Sequence, residues 1–189
     1  MINNISFKAK YINSDAVKIH KPYSTGYIPR KVDYVELDIN SKTDVDAVAK
    51  IGEKWNYGDS FAQAIAKNMK FDSLSHKYPR KYFAIVEEGC AEKLKPSDIL
   101  GIAEITEQNN SKEVYLDLIQ VIPCYTNDGS NLPETHIKNI GTTLMRNICK
   151  TFCYKDIKLQ AIRTTKYFYE KLGFERIENS HYMIKKALL

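Results

Sequence analysis

The run Asn139-Ile140-Gly141-Thr142-Thr143 has the make-up of an anion cradle. Where a helix begins, its first backbone N–H groups lack partners and its dipole end is positive, which suits a phosphate. Gly141 keeps the approach clear of a side chain. Thr142 and Thr143 can add hydroxyl donors, with His136 and Lys138 beside them as cationic help. A second constellation is Phe168-Tyr169-Glu170-Lys171-Leu172-Gly173-Phe174, a short helix closed by a glycine and an aromatic that packs back on it. That packing accounts for Gly173 and Phe174 and leaves the Tyr169 phenol free for another task. Two carboxylates interrupt apolar runs. Glu104 sits in phase with Leu100, Ile102 and Thr106, and Asp117 in phase with Tyr115, Ile119 and Val121. On a sheet face lining a cleft, such a group loses water, its pKa rises and it becomes a base nearer neutrality. The plain alternative is a carboxylate that faces solvent or pairs with a lysine. Cys90, Cys124, Cys149 and Cys153 lack the paired spacing of a zinc site, so no metal is expected.

These groups need a frame, and the hydrophobic periodicity supplies one. Ile5–Tyr11 alternates like a strand, and Pro22 and Pro29 interrupt the next stretch. Alternation resumes over Val32–Ile39. Helical spacing then predicts a helix over Ser41–Trp55, capped by Thr43 or Asp44, and another from Asp59 through Met69. Lys81–Val86, Ile99–Thr106 and Val114–Val121 read as three strands, the first two joined across Gly89 and Pro96 as an antiparallel hairpin. Pro123 ends the third. After the polar loop Cys124–Thr135, a helix is predicted from about His136 to Phe152, then a strand at Ile157–Ile162, a helix at Thr164–Leu172 stopped by Gly173, and a last strand at His181–Lys186. The order describes one α+β domain around a central sheet. Residues 1–32 form an N-terminal extension packed on a domain of residues 33–189.

The 189 residues suffice for one core, and 43% hydrophobic with 27% charged residues is the mixture of a globular chain rather than a disordered one. No apolar run approaches the ~20 residues that cross a bilayer, so no membrane partner is expected. Met1–Ile5 lacks the basic and apolar segments of a secretion signal, and a cytoplasmic location is expected. The formal charge of +5 arises from 28 basic and 23 acidic residues dispersed along the chain. That is an ordinary solvated surface, not the clustered footprint that nucleic acid requires.

In their order and spacing, four pieces resemble the GCN5-related N-acetyltransferase (GNAT) superfamily: Val121-Ile122-Pro123, His136 to Gly141, Ile157 to Ile162, and Tyr169 to Phe174. The family has a strand ending in Val-x-Pro, an (Arg/Gln)-x-x-Gly-x-Gly helix start, a strand, and a helix ending in Tyr-Glu-Lys-Leu-Gly-Phe. The likeness covers about residues 81–186. Here His136 replaces the family's Arg or Gln, Asn139 replaces its first glycine, and the loop before the helix is longer.

The resemblance implies a mixed, mostly antiparallel sheet flanked by helices, with two parallel strands splayed to hold acetyl-CoA. It implies that Ile119 and Val121 bind the pantetheine arm through their backbones, and that His136, Lys138 and Asn139 to Thr143 bind the phosphates. Thr164 or Thr165 stands near the place of a family asparagine. Acetyl transfer to a primary amine would proceed by direct attack, with Tyr169 as acid for the leaving thiolate and Glu104, then Asp117, as candidate bases. The acceptor is a small-molecule amine or a protein amino group, and the protein a monomer or homodimer. The alternative is a catalytically inactive GNAT-like module that binds a ligand or partner in the same cleft.

Overall fold

Apolar alternation through the middle of the chain builds a sheet, and four helices cover it. The computed structural model describes residues 8–20, 26–55, 61–75, 79–108, 110–123 and 137–188. The chain forms β1 (Lys10–His20), β2 (Tyr27–Leu37), α1 (Lys42–Lys54), α2 (Phe61–Ser75), β3 (Arg80–Glu87), β4 (Ile99–Thr106) and β5 (Glu113–Val121). Next come β6 (Ile137–Lys138), α3 (Ile140–Thr151), β7 (Asp156–Gln160), α4 (Lys166–Lys171), β8 (Glu175–Arg176) and β9 (Tyr182–Lys185). Among the described residues one sheet runs in the order β6-β1-β2-β3-β4-β5-β7-β9-β8. All its neighbours are antiparallel except β5 and β7, whose parallel pairing is what a helical crossover such as α3 produces.

The two faces carry separate cores. Val48 and Ile51 of α1 and Ile65 and Met69 of α2 pack on Val35, Ala84 and Ile102. On the other face Leu144, Ile148 and Phe152 lie with Phe83, Ile85, Leu100 and Ile105. Helices α1 and α2 approach so closely at Gly52 that a Cβ there would stand 2.9 Å from that of Ala66. Among the described residues, no helix is long and apolar enough to cross a membrane.

Several expected boundaries move. The N-terminal strand is β1, paired with β2 from Lys10 to His20, rather than Ile5–Tyr11; residues 1–7 lie outside the described set. β2 crosses residue 32 without a break. Pro29 is tolerated inside β2 because β3 pairs only with Val32–Leu37, and a proline lacks just the one donor. Helix α3 starts at Ile140, not at about His136. Ile137 and Lys138 instead pair with Ile19 and Lys18 of β1, and His136 and the Cys124–Thr135 loop lie outside the described residues.

The cap of α1 is Ser41, not Thr43 or Asp44. Its Oγ accepts from the Asp44 backbone N–H at 3.3 Å and donates to the buried Asp44 carboxylate at 3.0 Å, while that carboxylate accepts from the Asp38 backbone N–H. The Ser41 oxygen thus satisfies one of the backbone donors the helix leaves unpaired, and the Asp44 carboxylate ties the cap to Asp38. Replacing Ser41 by alanine is expected to lower unfolding free energy by about 1 kcal/mol, read from the midpoint of urea denaturation with an unchanged slope.

Candidate functional site

The parallel pair β5–β7 stays together for four residue pairs, from Glu113–Asp156 to Leu116–Leu159. β5 then continues to Val121 with, among the described residues, β4 alone beside it. The Ile122 N–H donates to the Leu100 carbonyl at 2.8 Å. Main-chain groups of a strand alternate in direction, so those of Gln120 and Leu118 also face β4. Those of Val121 and Ile119 are turned to the open side. A cleft of about 270 Å³ occupies the gap, lined by Leu116 to Val121 on one wall and by Leu159, Gln160, Ile162 and α4 on the other.

Asp117 sits where the strands part. Opposite it, the register of β4 and β5 jumps from Glu104–Leu118 to Ile105–Leu116, so Asp117 is the extra residue of a β-bulge. The bulge reverses the facing of β5. Val114 and Leu116 lie in the α3-side core, and so do Ile119 and Val121 beyond the bulge. Asp117 is therefore not in phase with Ile119 and Val121, as simple alternation had it. A similar irregularity opposite Ile85 and Val86 puts Ile99 and Ile102 on the α2 side and Leu100 on the other, which separates Leu100 from Ile102.

The two candidate carboxylates consequently differ in access. Asp117 lines the cleft, is open to solvent and is bonded by Thr106, whose Oγ1 donates at 2.7 Å and whose backbone also donates to the carboxylate. The protein packed around it pushes its carboxyl above the ordinary aspartate range. Glu104 is 2% exposed and is absent from the cleft wall. Both its oxygens accept from Asn68 Nδ2, at 3.0 and 2.9 Å, and Arg80 Nη1 stands 3.6 Å away. Arg80 in turn forks onto Asp72 with two 2.8 Å bonds, and Tyr82 donates to the same carboxylate at 2.6 Å. Burial pushes Glu104 up, with Asn68 and Arg80 opposing. Of the two carboxylates, Asp117 is the one on the cleft wall.

Tyr169 stands on the far wall. Helix α4 ends in a Schellman motif: the Phe174 N–H bonds the Tyr169 carbonyl at 3.1 Å and the Gly173 N–H bonds that of Glu170 at 3.0 Å. Gly173 holds φ +82°, a conformation glycine adopts without strain. Phe168 and Phe174 meet the Tyr169 ring edge-on at 5.1 and 5.8 Å. The tyrosine is 7% exposed and lines the cleft, and its hydroxyl makes no hydrogen bond to a described residue. Burial alone pushes its pKa up to about 12. Packing and an open hydroxyl thus coexist in one residue.

At the start of α3, Asn139 has φ +70°, the left-handed region. Asparagine visits it more readily than other side chains, which explains how it stands where a glycine is usual. Gly141 lines the cleft, and a Cβ on it would meet Val121 and Phe168 at ordinary contact distances of 3.6 to 3.9 Å. Thr143 does not face the cradle: it is buried, and its hydroxyl donates to the Ala16 carbonyl at 3.1 Å. Ile140 is buried, with its side chain beside Gly101. Lys138 is exposed, its ammonium 4.6 Å from the centre of the Tyr27 ring, and Thr142 is half-buried. Thr165, rather than the exposed Thr164, reaches the cleft. Sequence reasoning missed Phe61, Gln120 and Phe168 in the walls. Gln120 had a signal, a polar residue in an apolar strand; its Oε1 accepts from the Ala62 N–H at the start of α2.

Asn139→Ala is expected to cost about 1–2 kcal/mol in urea denaturation, because alanine pays for the left-handed backbone. Asn139→Gly should stay within a few tenths of the parent.

No family model matches the chain, and no curated protein matches its sequence. Solved structures do match its fold. The PaiA N-acetyltransferase of Thermoplasma acidophilum, in complex with coenzyme A, aligns with TM-score 0.51 and 18% identity over 82% of this chain and 98% of its own. Aminoglycoside 6'-acetyltransferase type Ii aligns with TM-score 0.52 and 19% identity over 82% and 97%. An acetyltransferase of the GNAT family from Staphylococcus aureus Mu50 aligns with TM-score 0.50 and 15% identity over 83% and 99%. At such identities the likeness is one of architecture, and in architecture this chain has the GNAT acetyltransferase fold.

Proposed function

We propose that the chain binds acetyl-CoA between β5 and β7 and transfers the acetyl group to a primary amine. The observation that carries this reading is the parting of those strands after Leu116–Leu159, which exposes the main chain of Ile119 and Val121 inside a mostly apolar cleft. A narrow amide-bearing arm fits such a slot, because it can complete the ladder that β7 leaves unfinished. The first turn of α3, with Gly141 on the cleft wall, suits the pyrophosphate. Coenzyme A in the PaiA complex adds support. The left-handed backbone that Asn139 adopts at the helix start supports this reading over an inactive binding module.

The bound thioester supplies the acetyl group and its leaving thiol. The amine nitrogen attacks the carbonyl carbon, the C–N bond forms, the C–S bond breaks and the thiolate leaves. A backbone N–H of the parted strand supports the developing oxyanion, a contribution of roughly 3–4 kcal/mol. Tyr169, kept neutral by burial, gives its proton to the thiolate sulfur and regains one from the attacking nitrogen, which sheds its second proton as the amide forms. The free ammonium of an alkyl amine has a pKa of about 10, so a proton must leave before attack, and Asp117 accepts it directly or through water. No covalent enzyme intermediate is formed. The acceptor is a small amine or a protein amino group.

Calorimetry with acetyl-CoA tests the binding step. At 100 times its dissociation constant, the ligand is expected to raise unfolding free energy by about 2.7 kcal/mol. No heat and no thermal shift at millimolar acetyl-CoA would sink the reading. Tyr169→Phe is expected to lower kcat by about 10²-fold or more, with acetyl-CoA affinity nearly unchanged. Asp117 works only when ionised, and its raised pKa sets an acidic limb above the ordinary carboxylate range. Activity therefore rises with pH through that limb, and Asp117→Asn should slow transfer and abolish the limb. A variant that keeps both rate and limb removes Asp117 from the mechanism.

A further inference from the structure

Helix α3 buries two polar side chains on its inner face, Thr143 and Asn147, each 1% exposed. A buried polar group is costly unless bonded, and asparagine is a poor choice for a helix interior. Both side chains are bonded to β1. Thr143 Oγ1 donates to the Ala16 carbonyl at 3.1 Å. Asn147 Nδ2 donates to Asp15 Oδ2 and to the Thr143 carbonyl, both at 2.9 Å, and its Oδ1 accepts from Asn13 Nδ2 at 2.9 Å. Arg146 Nη1 lies 3.8 Å from Asp15 Oδ1. The register of β1 shifts between Tyr11 and Asn13. That bulge lets Ile12 pack into the α3-side core while Asn13 still reaches the helix.

The chain entering α3 is held by the same strand, since Ile137 and Lys138 pair with Ile19 and Lys18. β1 thus grips the segment just before the helix start, the first turn at Thr143 and the second at Asn147. Apolar packing lets a helix slide or roll by a fraction of an ångström at little cost. Directional bonds to fixed strand atoms do not.

We propose that β1 is the positioning element for the anion-binding start of α3, and that Asn147 is the residue through which it sets the place of Gly141. This rests on the reading that the Gly141 end receives the pyrophosphate. Asn147 touches no ligand. It acts by holding the unpaired N–H groups in place beforehand, so that binding does not have to order them.

The test compares Asn147→Leu and the milder, near-isosteric Thr143→Val with Ser41→Ala, a destabilised control on the opposite face. Asn147→Leu is expected to raise KM for acetyl-CoA about ten-fold, since misplacement by ~1 Å weakens preorganised contacts, while kcat stays within about two-fold. Thr143→Val should move KM the same way by less. Ser41→Ala should lower the melting temperature without moving KM. If the α3 variants lose thermal stability but keep KM, the proposal is overturned. Amide exchange gives a second readout that does not need activity. The Thr143 and Leu144 amides in the first turn should exchange faster in Asn147→Leu, with the Ile148 amide unchanged. Equal exchange in both proteins also overturns it. Should the parent protein bind no acetyl-CoA, the functional reading falls by itself and the exchange result decides the positioning claim alone.

Discussion

Everything at the site depends on β5 having β7 beside it for only four residue pairs. A strand inside a protein must satisfy its N–H and C=O groups, and those without a neighbour need water or a ligand. β7 ends at Gln160, and the chain turns away through Ile162 into α4. β5 runs five residues further, to Val121. The parted stretch has an ordinary ladder on its β4 side and open main-chain groups on the other. Side chains around that opening are largely apolar, so a ligand with its own amides can pair there in a poorly hydrated slot, where hydrogen bonds are stronger than in water.

The same parting settles which carboxylate has access. Without the bulge, Asp117 would stand one place out of register and Leu118 would not face the α2-side core. With it, Asp117 comes to the cleft wall and, among the described residues, is hydrogen-bonded by Thr106. Glu104, one strand away, belongs to the closed cluster with Asn68, Arg80, Asp72 and Tyr82. That cluster joins α2 to β3 and β4, and breaking one of its partners would leave a charge buried without compensation. Glu104 is a structural carboxylate with a perturbed pKa; Asp117 is an accessible one.

Much of the frame was legible because its signals are local. The strands β3, β4 and β5 announce themselves by apolar runs between turns, and Gly173 with Phe174 encodes a helix end within seven residues. What escaped was set by partners distant in sequence. β6 exists only because Ile137 meets Ile19, and the helix start moves to Ile140 for that reason. The α1 cap, a local feature, was misplaced because Ser41, Thr43 and Asp44 are all capping types; Ser41 Oγ is the one that accepts from the Asp44 backbone N–H. The facing of Asp117 depends on one inserted residue in a ladder, which leaves no trace in an alternation pattern. Thr143 looked like a phosphate ligand by position and is a strand contact instead, because β1 brings Ala16 to it.

If a CoA thioester completes the unfinished edge of β5, amide hydrogen exchange measured residue by residue, with and without coenzyme A, shows it most directly. Ile119 and Val121 are expected to exchange fast in the free protein, while Leu118 and Gln120, bonded to β4, exchange slowly. Coenzyme A should then protect one or both of Ile119 and Val121. Bound coenzyme A that leaves both amides unprotected would contradict the claim.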